Sequence, residues 1–117
     1  MQLTSVILSV LLAIVATVSA LGKLQKKPQI MEMMAHVGIK PNQIPVLAYL
    51  EIAGALGLLI GLAYAGIGIA AATGLSLYFL GAVVAHLKKK DAISLFAPAL
   101  MLALLNAVNA YLIASAF

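Results

Sequence analysis

Glu51 is the residue of this chain whose position most demands a chemical explanation. It is the sole acid inside a run of apolar residues from 45 to 64. An acid in hydrocarbon costs roughly 2.5 kcal/mol or more and marks a functional site by default. Burial disfavours the charged form, so such an acid acts as a proton carrier or a hydrogen-bond donor. The competing reading is a structural ion pair with Lys23 or His86 that locks the first three spans together. Counting about 1.5 Å per residue puts Glu51 and Thr17 about 9 Å inside the membrane, with His86 and Lys23 at its rim. Tyr78 and Asn106 fall near mid-membrane, and Thr73 and Asn109 lie deeper. These polar groups form a column running inward from the lysine-rich end. The expected ligand-binding set is therefore Glu51, His86, Lys23, Thr17, Tyr78 and Asn106, with Glu51 the candidate for any catalytic role.

Each member has a plainer alternative. His86, followed by three lysines, is as well suited to the interface as to a ligand. Haem would require a second facing histidine, and His36 lies in a loop. Asn106 and Asn109 share a helix face and either bond neighbouring helices or line a cavity. The Met31-Glu32-Met33-Met34 run suggests a soft-metal site, but adjacent residues of a helix point in different directions. It reads as packing, and no metal site is expected.

The elements that must hold these residues follow from composition. The chain has 117 residues, 65% apolar and 9% charged, with a mean hydropathy of +1.18. Soluble domains average about 25% charged residues, so this chain cannot cover a water-facing surface. It reads as a polytopic membrane protein in contact with the lipid bilayer. The apolar runs at 3–21, 45–64, 67–87 and 94–117 each suit a membrane-crossing helix of about 20 residues. The expected fold is all-α: a single four-helix transmembrane domain over 1–117, with a short interfacial helix in the first loop. There Pro28 suits a first helical position and Gly38 a left-handed cap. Val18-Ser19-Ala20 resembles a signal-peptide cleavage site, but the preceding run is long and lacks a basic start, so a retained span is expected.

All seven basic residues are lysines, four in the first loop and three in the third. The positive-inside rule then places both loops in the cytoplasm and both termini outside. The lysines oppose nucleic acid as a partner, because no folded basic surface stands behind them. The chain has no cysteine, which excludes disulfide and thiolate chemistry, Cys-ligated zinc and iron–sulfur clusters. No covalently bound cofactor is expected. Any electrons must come from a membrane-soluble carrier or a partner. Small residues Ala53, Gly57, Gly61, Ala70, Gly74 and Gly81 predict a close seam between the second and third spans, and a homo-oligomer is compatible with such faces.

Several segments carry a resemblance. They are Gly22-Lys23-Leu24 with Pro28, and His36-Val37-Gly38-Ile39-Lys40-Pro41. Leu50-Glu51-Ile52-Ala53-Gly54, Leu56-Gly57-Leu58-Leu59-Ile60-Gly61, Gly81-Ala82-Val83-Val84-Ala85-His86-Leu87 and Ala97-Pro98-Ala99-Leu100 follow in order. With them the chain resembles the DoxX-like family of small four-helix membrane proteins. The resemblance implies a bundle in a bacterial cytoplasmic membrane, similar to the membrane subunit of a thiosulfate:quinone oxidoreductase. It implies a role in redox or oxidative-stress processes, with a quinone-like or other flat amphipathic ligand. A redox partner on the cytoplasmic side is expected with it. The family's recurrent acid, histidine and post-helix lysine fall on Glu51, His86 and Lys23. Two other classes stay open: a non-catalytic scaffold subunit, and a small proton-coupled transporter, which the one-sided lysine distribution disfavours.

Overall fold

The computed structural model describes residues 3–115. Five helices and one short 3₁₀ turn account for nearly all of them: α1 (Leu3–Leu24), α2 (Pro28–His36), the turn Pro41–Gln43, α3 (Ile44–Ile60), α4 (Ala65–Lys88) and α5 (Ile93–Ser115). No strand occurs among the described residues. The helices α1, α3 (with its leading turn), α4 and α5 are each long and apolar enough to cross a membrane. They match the four predicted spans, and α2 is the short helix expected in the first loop. The molecule is about 42 Å along its longest axis, enough to cross a hydrocarbon core of about 30 Å.

The four spans form a ring in the order α1, α3, α4, α5. Neighbours in that order pack against each other, with α5 returning to α1 along the sparsest contact. Leu12, Ala16, Leu58, Ala72, Phe79 and Ala103 are among the residues that fill the centre. Both lysine-bearing loops lie at one end of this ring, where His36 reaches Asp91.

The seam between α3 and α4 is made of small residues, but not all those expected. A Cβ built on Gly57 would lie 2.7 Å from the Ala71 Cβ, and one on Gly61 would fall inside the Gly68 backbone. Gly54 meets the Leu75 side chain. Ala53, Ala70, Gly74 and Gly81 are exposed, and a Cβ on Gly74 or Gly81 would meet nothing. The four-residue line from Ala53 meets the contact only at Gly57 and Gly61, and Gly54, one residue after the exposed Ala53, completes it.

Two helix ends at the lysine side close through left-handed residues that are not glycine: Lys26 (φ 55°) after α1 and Lys90 (φ 56°) after α4. That conformation costs a non-glycine residue roughly 1–2 kcal/mol. After α4 it reverses the chain so that the Asp91 amide donates to the His86 carbonyl at 3.1 Å. The turn therefore returns Asp91 to the helix it has just left.

Candidate functional site

Glu51 points into the bundle from α3 and has no solvent-exposed surface. Its Oε1 accepts a hydrogen bond from the Lys23 ammonium at 2.6 Å, and the same Nζ donates to Ser19 Oγ at 2.8 Å. Lys23 stands one turn after Ser19 on α1, so one helix face presents both. The pair is buried on both sides, which removes the screening that makes surface pairs weak. The other carboxylate oxygen, Oε2, has no partner among the described residues. The Tyr78 phenol on α4 sits beside this carboxylate.

A second charged cluster closes the lysine end. Asp91 Oδ2 meets His86 Nδ1 at 2.8 Å, and Asp91 Oδ1 meets His36 Nε2 at 2.7 Å. One carboxylate thus joins α2 to the end of α4. The His36 contact first, and the His86 contact second, hold the Asp91 carboxyl below the usual aspartate range. This clasp matters because α2 has no buried residue of its own. Gly22 lets α2 fold back, since a Cβ there would collide with Ile30.

Between these two clusters lies a cavity of about 390 Å³, within the usual range for small-molecule sites. Lys23 of α1, Tyr78 and His86 of α4, Met33 and Met34 of α2, and Pro98 of α5 are among its walls. The lining is mainly apolar, with a cation, a phenol and an imidazole as polar features. The Tyr78 and Phe79 rings meet edge to face at 5.1 Å, making a firm floor.

Of the residues expected to line a site, Lys23, Tyr78 and His86 reach this cavity, and Glu51 stands directly behind Lys23. Thr17 and Asn106 do not. Thr17 is exposed, and its hydroxyl donates to Ala13 O of its own helix at 2.8 Å. It follows the buried Ala16, and one residue of helix turns it away from the core. Asn106 is fully buried but deeper, where its Nδ2 donates to Leu102 O at 2.9 Å. His86 pairs with Asp91, and Glu51 with Lys23, so the two alternatives for the acid's partner resolve geometrically to the lysine. Sequence reasoning left out His36, Asp91, Met33, Met34 and Pro98. The available signal for the clasp was Asp91 itself, an acid five residues after His86 at a helix end.

The spans and their buried charges define a small multi-pass helical membrane protein with a cavity at its lysine-rich end. The chain belongs to the DoxX-like family, whose family model matches residues 7–108. That stretch includes the Lys23–Glu51 pair and the whole clasp. No curated protein and no solved structure matches the chain.

Proposed function

We propose that the cavity binds a quinone-like or similarly flat amphipathic molecule, and that the protein serves as a membrane subunit in redox or oxidative-stress processes. The carrying observation is the buried Lys23–Glu51 pair at the cavity wall, with one carboxylate oxygen left unpartnered. A ring carbonyl is an acceptor, and the Lys23 ammonium and the Tyr78 hydroxyl are donors on the wall of the same apolar slot. Glu51 holds Lys23 in place and is the nearest acid for proton exchange. The electrons for any turnover come from a partner, since the protein's own side chains include no thiol. On this reading the membrane is the bacterial cytoplasmic membrane, the lysine end faces the cytoplasm and both termini lie outside. A reporter fused after the C-terminus should then behave as external.

The experiment is binding of a short-chain benzoquinone to the purified wild type, Glu51→Gln and Glu51→Ala, with stability followed in parallel and lipid extracts examined by mass spectrometry. Binding by the wild type and by Glu51→Gln, with loss in Glu51→Ala, supports the reading. The Lys23–Glu51 bond also favours a second one, in which the pair only fastens α1 to α3 in a scaffold subunit. Undetectable wild-type binding, with both variants destabilised alike, would establish that alternative.

A further inference from the structure

Above the cavity, in the half of the bundle farther from the lysines, α1 and α5 face each other with polar side chains. Ser5, Ser9, Asn106 and Asn109 are all at most 1% exposed. One bond crosses the interface, from Asn109 Nδ2 to Ser9 Oγ at 3.0 Å. Ser5 Oγ, Asn106 Oδ1 and Asn109 Oδ1 have no partner among the described residues. Each buried polar atom left unsatisfied costs about 1–3 kcal/mol, and the usual remedy is an ordered water with two to four polar partners. An alkali cation is a poor alternative, because none of the four side chains carries a charge to offset its desolvation.

The depths of these groups are regular. Counted from the lysine end at about 1.5 Å per residue, Glu51 lies at about 10 Å, Tyr78 at about 15 Å and Asn106 at about 20 Å. Ser9 and Asn109 follow at about 22–24 Å and Ser5 at about 28 Å. Successive groups differ in depth by at most about 5 Å. Ser5 Oγ, Asn106 Oδ1 and Asn109 Oδ1 thus belong to the ring's sparsest contact, between α1 and α5, and Glu51 Oε2, on α3, is the unpartnered atom nearest the lysine end.

We propose that α1 and α5 enclose a file of bound waters running from the end opposite the lysines to Glu51, giving that acid aqueous contact with the side its cavity does not face. A proton moves along such a file by exchange. Each oxygen gains one O–H bond as it gives up another, and Glu51 is the terminal acceptor or donor. The file stands on the buried polar groups alone and is independent of which molecule occupies the cavity.

The sequence supplies the test. Asparagine occurs only at 42, 106 and 109, and glutamate only at 32 and 51. In bilayer samples labelled only at asparagine side chains, water-edited solid-state NMR should transfer magnetisation to Asn106 and Asn109 as it does to the exposed Asn42. Dry Asn106 and Asn109 signals overturn the proposal on the unmodified chain. In glutamate-labelled samples the Glu51 carboxyl should be wet in the wild type and should lose its water contact in Asn109→Leu, while Glu32 keeps its own. A dry wild-type Glu51 overturns the proposal. So does a Glu51 that stays wet in a folded Asn109→Leu, because the water then arrives from the cavity.

Discussion

Replacing Lys23 by methionine keeps most of the length of the side chain and removes its charge, leaving Glu51 without the donor now 2.6 Å from Oε1. Removing one partner of a buried ion pair costs about 3–5 kcal/mol. The expected destabilisation of Lys23→Met is thus about 3–5 kcal/mol, because the carboxylate keeps its burial and loses its cation. Glu51→Gln should be milder, about 1 kcal/mol, because the lysine stem can carry its ammonium to the headgroups. With both replacements no charge is stranded, and the double variant should be close to Glu51→Gln. Reversible unfolding in mixed-detergent micelles measures all three. Single effects that add to within about 0.5 kcal/mol would refute the reasoning.

Gly61→Leu forces a side chain into the Gly68 backbone and should cost about 3 kcal/mol, whereas Gly74→Leu faces open space and should stay within about 0.5 kcal/mol; thermal unfolding in detergent separates the two, and equal melting points would contradict the seam. His36→Ala or Asp91→Asn should free α2 and raise its deuterium uptake, and uptake identical to wild type would show that the clasp holds nothing. The lowered Asp91 carboxyl fixes the acid side of that effect: its contribution is present above the ordinary aspartate value of 3.8 and is lost as pH falls through its lowered one.

What could be read in advance divides along a geometric line. The four spans were legible because apolar runs of that length have no other stable form in or out of lipid. Glu51 was legible because it is alone in such a run, and Lys23 as one of two candidate partners, beside His86, because all three lie near the same end. Residue counting along a helix gives depth but leaves azimuth uncertain, since each residue turns the side chain by about 100°. Hence Thr17, correctly placed in height, faces away from the core, and the small-residue seam runs through Gly54 where Ala53 was expected. The His36–Asp91 contact spans 55 residues and depends on α2 folding back and on the left-handed Lys90, neither of which leaves a periodic trace. Asn106 was expected in the cavity because it shares a depth with Tyr78, but Leu102, one turn earlier on α5, occupies that wall.

The ring order of the helices also sets an order of events in time. The Lys23–Glu51 bond joins residues 28 apart, and both belong to helices made early. The Ser9–Asn109 bond joins residues 100 apart, and its second half belongs to the last helix synthesised. At about 5–20 residues per second, α1 waits several seconds in the membrane for its partner. During that interval Ser5 and Ser9 have no α5 to face, and α1 is held only on its α3 side. Closure along α1 and α5 is therefore the final step of assembly. A chain arrested before Ile93 would be an open three-helix arc, with its polar stripe turned to lipid and within reach of a membrane quality-control protease.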